Sequence, residues 1–246
     1  MTAEPPVFVD QKDELVTLHF GNGLIQTQIN RSHPEQLPLL GNRMMLVHLL
    51  FGLEPQSVLL AGSGGGSIGR WFDQYLPDTQ GLAVEKSSKV ISLAQQYFDF
   101  PPAGSNWHIE QADIRQFLGN TNRRFDFILF DIEEQGSTPG WLTDNELLSH
   151  CLNCLTDQGV VSFNIVAESS ENFMKALWSI RQTFPDKTCC LSHPESGNII
   201  VTAFKQKPSI ESLAERAEAA KKRYNIEFDL FCQQLLKDNP AHSGIF

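Results

Sequence analysis

Along the middle of the chain, short apolar runs end repeatedly in residues able to bind or to ionise. The first ends in "AGSGGG" (61–66), with Gly62, Gly64, Gly65 and Gly66; the second ends at Glu85; the third at Asp113; the fourth at Asp131, with Glu133 and Glu134 just beyond. Glycine removes the Cβ and frees φ, so such a loop turns sharply into a helix while its backbone comes close to a bound nucleoside. An acid at the tip of the next strand can accept both ribose hydroxyls, the role open to Glu85. Each carboxylate also has a plainer reading, as the cap of a following helix. Gly64, Gly66 and Gly69 satisfy the loose GxGxxG pattern of nicotinamide-dependent oxidoreductases too, but that reading has no use for Asp113 or Asp131. Acids recurring after successive strands favour a nucleoside site.

For these residues to meet, the runs that carry them must lie side by side, because ligands of open α/β sheets bind beyond the carboxyl ends of the strands. The pattern supplies strands at 57–61, 81–84, 107–110, 125–130 and 159–164. Between them, Ile68, Trp71, Phe72, Tyr75 and Leu76 form one helical stripe, and Val90, Ile91, Ala94, Tyr97 and Phe98 another. Such alternation predicts a parallel sheet with helices on both faces, since parallel neighbours need a crossover. "KTCCLSH" and "NIIVTAFK" flank a turn at 194–197 and predict an antiparallel hairpin at the sheet edge. Upstream, "ELVTLHFGNGLIQTQI" (14–29) alternates about Gly21-Asn22-Gly23 and predicts a β-hairpin, followed by a helix within 38–52. Two further helices are predicted after Pro208, packing on the domain or on a partner subunit. The expected division is an appendage at 1–54, a Rossmann-like catalytic domain at 55–207 and C-terminal helices at 208–246.

Composition narrows the chemistry. A chain of 246 residues with 41% hydrophobic content buries a full core. No stretch approaches the roughly 18 uninterrupted apolar residues of a membrane span, and the N-terminus lacks a basic region followed by an apolar one, so the expectation is a cytoplasmic protein. A net charge of −10 argues against nucleic acid and suits a cationic substrate. The five cysteines read as reduced core thiols, Cys151 and Cys154 included, because a helix there carries Leu147, Leu148, Cys151 and Leu155 on one face and no second cysteine pair or histidine cluster completes a site. His33, His108, His193 and His242 are scattered without metal-ligand spacing, so no metal is expected. Trp107 and Trp141 read as core, with a pocket wall as the alternative.

The motifs together resemble a class I S-adenosylmethionine-dependent transferase, and more narrowly the spermidine synthase (polyamine aminopropyltransferase) family, over roughly residues 14–205. "LHFGNGLIQTQ" is similar to the family's N-terminal hairpin with its DGxxQ element, "LLAGSGGGS" to its GGGDGG loop, "LAVEKS" to its VEID, "ADI" to its GDA and "FDFILFDIEE" to its YDxIxxDxxD segment. The resemblance implies the class I methyltransferase fold, with a seven-stranded, mostly parallel sheet, a terminal antiparallel hairpin and a small N-terminal β-hairpin. It implies a homodimer and a co-substrate that is S-adenosylmethionine or its decarboxylated form. It places Gln26 near the sulfonium, Glu85 on the ribose, Asp113 near the adenine amino group, Asp131 as catalytic base and Glu134, with Glu133, on the substrate amine. An alkylammonium with a pKa near 10 must be bound by an acid and lose a proton before its nitrogen attacks carbon beside a sulfonium.

The chain departs from the family pattern at defined places. Gly65 replaces the acid that in the family repels the carboxylate of ordinary S-adenosylmethionine, and Ser67 replaces the last glycine. Arg43 and Met44 stand where the family's YHE would supply polar substrate contacts, and Ile132 and Glu133 fill the DxxD segment without its proline. The leading expectation is aminopropyl transfer to a diamine such as putrescine. The alternatives are methyl transfer to an unknown small molecule and a catalytically inactive nucleoside-binding protein.

Overall fold

The computed structural model describes residues 7–21, 25–134 and 136–246. It opens with an antiparallel sheet of three strands, β1 (Val7–Lys12), β2 (Leu15–Phe20) and β3 (Ile25–Asn30), in that order. The expected hairpin is β2 and β3; Asn22 and Gly23 of its turn lie outside the described residues. The additional strand β1 pairs with β2 from Val7↔Phe20 to Lys12↔Leu15. It escapes the pattern because "DQK" breaks the apolar alternation, and its turn uses Asp13 at φ 53°, a left-handed conformation that Asp tolerates better than most residues.

The helix expected within 38–52 is split into α1 (Leu40–Met45) and a 3₁₀ segment, Leu46–Phe51, all six of whose residues are buried. Gly52, at φ 72°, ends it in the left-handed region that glycine adopts without cost. The main sheet follows: β4 (Ser57–Ala61), β5 (Gln80–Glu85), β6 (Trp107–Gln111), β7 (Phe125–Phe130), β8 (Leu155–Val166), β9 (Thr188–Ser192) and β10 (Asn198–Phe204). Their spatial order is β6-β5-β4-β7-β8-β10-β9. The first five are parallel neighbours, whereas β10 runs antiparallel to both β8 and β9. Chain order therefore reverses at β4, with β5 on one side and β7 on the other, and a crevice at such a switch point is the usual ligand site.

Alternation along the strands feeds two apolar layers. Val58, Leu60, Phe127 and Leu129 face one of them, with Trp71 and Phe72 of α2 (Ser67–Tyr75), the 3₁₀ segment, and the C-terminal helices α7 (Leu213–Tyr224) and α8 (Phe228–Asp238). Leu59, Ala61, Ile128 and Phe130 face the other, with α4 (Ile114–Asn120), α5 (Asn145–Cys154) and α6 (Ser170–Thr183). The small sheet makes a third cluster, in which Val16, Leu18 and Ile29 pack on Val90 and Phe98 at the two ends of α3 (Ser88–Tyr97). All five cysteines are free and buried, and burial pushes the Cys190 thiol up to about 11, as expected of core thiols. Trp107 is core, packed between Phe72 and Phe100 and against Gly81, where no Cβ would fit.

His48 of the 3₁₀ segment is buried against Phe127, and burial pushes its imidazole from 6.5 down to about 3. The folded protein thus excludes a proton there that the unfolded chain binds, so this stability is fully present above about 6.5 and is lost as pH falls toward about 3. Urea unfolding across that range should show a shallower pH slope for His48→Leu than for wild type.

Candidate functional site

The carboxyl ends of β6, β5, β4 and β7 bring the predicted acids and glycines into one arc. Gly62, at φ 84°, leaves β4 with its N–H donating to Val84 O of β5 at 3.0 Å, while a Cβ there would stand 2.8 Å from Asp131 O beyond β7. Three strand ends therefore meet at a residue that has no room for a side chain. Farther along the loop the close neighbours are other parts of the protein. Gly65 N donates to Thr27 Oγ1 of β3 at 2.8 Å, and a Cβ on Gly65 would fall 2.7 Å from both Thr27 Cγ2 and Phe98 Cδ1. The bare loop is thus required by the seating of the small sheet and α3 on its outer side, independently of any nucleoside.

Glu85 ends β5 and braces this loop. Its Oε2 accepts from Ser63 N at 3.2 Å and its Oε1 from Ser87 N at 2.9 Å, which fixes the carboxylate beside the turn from β4 into α2. Asp113 caps α4 by accepting from Arg115 N at 3.0 Å, and the Arg115 side chain binds both its oxygens, at 3.0 and 2.7 Å. Those bonds hold the Asp113 carboxyl below its ordinary value. The Arg115 guanidinium in turn lies over the Trp141 ring, 4.8 Å from its centre. The hydrogen bonds are those of the plainer reading, a helix cap, set at the carboxyl end of β6.

Asp131 sits half-buried at the end of β7, its N–H donating to Ala61 O at 3.1 Å. Asn42 Nδ2 of α1 donates to Oδ2 at 3.1 Å, and Asn164 Nδ2 of β8 donates to Oδ1 at 2.9 Å. Burial pushes this carboxyl up, and the two amide bonds, which favour the ionised form, oppose it. Glu133 is raised as well, first by burial and then by the charge of Asp131. Glu134 points elsewhere: its backbone pairs with Ser137 to close a turn, it is exposed, and its charge acts on Arg115. Asp131 and Glu133 thus form the electrostatic pair. Gln26 of β3 comes beside the glycine loop through its backbone, whose carbonyl oxygen is 3.8 Å from where a Gly64 Cβ would stand.

Asn42 and Asn164 are the contacts that the sequence reading missed. Asn164 was legible as a polar residue at the mouth of a predicted strand. Asn42 precedes the positions where polar contacts were expected, and one residue turns a helix by about 100°. Arg43 accordingly faces away, bonding Glu227 and the carbonyls of Leu37 and Pro38, and Met44 is buried. A cavity of about 380 Å³ between Tyr75, Tyr224 and Glu35 lies at the far end of α2 and contains none of the site residues.

Comparison with known proteins bears on what such an arc does. No family model matches the chain. It is 30% identical over 249 residues to the polyamine aminopropyltransferase of Chromobacterium violaceum, covering 98% of this chain and 94% of that one. The fold is similar to that of a probable spermidine synthase from Corynebacterium glutamicum, with a TM-score of 0.77 at 18% identity over 88% of this chain and 82% of that one. It is also similar to human methyltransferase-like protein 13 in complex with SAH, with a TM-score of 0.64 at 22% identity over 75% of this chain and 89% of that one.

The crowding at Gly65 has a measurable consequence. Gly65→Asp forces side-chain atoms into space held by Thr27 and Phe98, and overpacking of this kind costs about 1–3 kcal/mol. Urea unfolding of the variant should show that loss.

Proposed function

This chain belongs to the polyamine aminopropyltransferase family, and on that premise we propose that it transfers the aminopropyl group of decarboxylated S-adenosylmethionine to a small diamine such as putrescine. The observation that carries the proposal is Asp131: a carboxylate at the strand switch point, fixed by uncharged amides at both oxygens, with Glu133 in its field and burial raising both. A base pushed upward toward working pH accepts a proton more readily than an ordinary aspartate. Two neighbouring acids with no cation bonded to them among the described residues suit an arriving diammonium.

In this reading Glu85 takes the ribose hydroxyls, and Asp113, with Arg115 and Trp141, frames the adenine. Gln26 and the backbone of Gly62 to Gly66 lie along the sulfonium. Asp131 accepts a proton from the substrate ammonium, and the freed nitrogen attacks the aminopropyl carbon bonded to sulfur. That C–N bond forms as the C–S bond breaks, and the electron pair neutralises the sulfonium to give 5′-methylthioadenosine. Sulfur is already a good leaving group, so positioning and local charge suffice for catalysis. Glu133 holds the amine, with Glu134 farther out on the Arg115 side.

Methyl transfer from intact S-adenosylmethionine is the second reading, favoured by Gly65, which presents no charge to repel a carboxylate. Calorimetry with both donors and 5′-methylthioadenosine separates the two. Tighter binding of the decarboxylated donor and of methylthioadenosine is expected; tighter binding of the intact donor favours methylation, and binding of none overturns both. Asp131→Asn should lose turnover by about 10²-fold or more, the scale of a positioned proton acceptor, with nucleoside affinity unchanged. Glu133→Gln should raise the amine KM by roughly tenfold with a smaller effect on kcat.

A further inference from the structure

The Asn164 amide that holds Asp131 is itself held, and its partners run away from the crevice in a single direction. Asn198 Nδ2 of β10 donates to Asn164 Oδ1 at 2.8 Å, and Ser196 Oγ donates to Asn198 Oδ1 at 2.9 Å. The strands set this geometry: β8 and β10 pair Asn164 with Ile200 and Asn198 with Val166, so the two asparagines are diagonal neighbours on one face. Gly41 of α1 closes over them, where a Cβ would stand 3.5 Å from Asn198 Nδ2.

Each link dictates the next. An ionised carboxylate only accepts, so Asn164 must present its NH₂ to Asp131 and its oxygen outward. Asn198 must then turn its NH₂ to that oxygen, which leaves its own oxygen for the Ser196 hydroxyl. Reversing any amide sets oxygen against oxygen. An aspartate has a broad, nearly two-fold χ2 preference, so the plane of Asp131 comes from outside partners: Asn42 at one oxygen and this chain at the other.

We propose that Ser196, Asn198 and Asn164 form a directional amide relay that orients the Asp131 carboxylate as an acceptor, making Asn198, which does not touch Asp131, a positioning residue. The relay rests on the reading of Asp131 as the proton acceptor for its catalytic meaning, though not for its effect on the carboxylate. Glu133 on its own loop is the titratable group coupled to Asp131 among the described residues, and the side chains that face the carboxylate from α1 and β8 are the neutral amides of Asn42 and Asn164. His193 and Glu195 lie in the turn beyond Ser196.

The test is the titration of the Asp131 carboxyl by ¹³C NMR, its resonance assigned as the one missing in Asp131→Asn. In Asn198→Ala, Asn164 loses the donor that keeps its NH₂ toward Asp131, so the midpoint should move to higher pH. Asn198→Asp, of the same shape, opposes an acceptor to the Asn164 oxygen and should move it further, which keeps the test readable where truncation unfolds the chain. kcat with the decarboxylated donor and putrescine should fall roughly tenfold in either variant, with the donor KM unchanged and the acidic limb of the pH profile displaced the same way. An Asp131 midpoint unmoved in both variants overturns the relay. The titration uses no substrate, so failure of the aminopropyl-transfer reading would appear separately, as wild-type protein with the expected midpoint shifts in its variants and no turnover.

Discussion

A carboxylate half withdrawn from water, with no cation bonded to it among the described residues, is the constraint around which this crevice is arranged. Burial pushes the Asp131 carboxyl toward its protonated form, in which an acid no longer accepts a proton. A bonded lysine or arginine would oppose that push and also quench the carboxylate charge. Neutral amide donors oppose it without quenching. Asn42 and Asn164 stabilise the ionised form while leaving its net charge in place, and they come from elements that are distant in sequence. The helix α1 is therefore part of the site although it precedes the main sheet.

The rest of the molecule makes that meeting reproducible. Gly62 lets β4 come into contact with the backbone at Asp131, so the glycine loop and the end of β7 pack directly on each other. The outer side of the loop is sealed by Thr27 from the small sheet and by Phe98 from the end of α3. The small sheet thus acts as a wall that sets loop shape through direct hydrogen bonding, and Glu85 fixes the same loop from within through Ser63. At the β6 end of the crevice Arg115 is bound by Asp113 and stacked on Trp141, whereas at the β7 end Asp131 and Glu133 lie together.

Much of this was legible in the residue pattern because the main sheet obeys strict periodicities. β4 and β7 fall on the expected ranges to the residue, since each is a short, mostly apolar segment with polar residues on either side. The arc of Gly62, Glu85, Asp113 and Asp131 follows from the parallel order. What escaped the pattern were contacts that depend on rotation or direction. The strand β1 was hidden by its polar second half, and the split of the expected helix at Met45 leaves no mark in a stripe that is apolar throughout. The choice of Glu133 over Glu134 as the partner of Asp131 turns on a loop conformation, and the facing of Asn42 rather than Arg43 turns on one residue of helical rotation. Neither is encoded in spacing alone.

The measurement that bears most directly on this account is identification of the products formed from decarboxylated S-adenosylmethionine and putrescine by mass spectrometry. The account predicts 5′-methylthioadenosine and the diamine extended by one aminopropyl group, in equal amounts. It would be contradicted by an unmodified diamine alongside a methylated amine formed when intact S-adenosylmethionine is supplied instead.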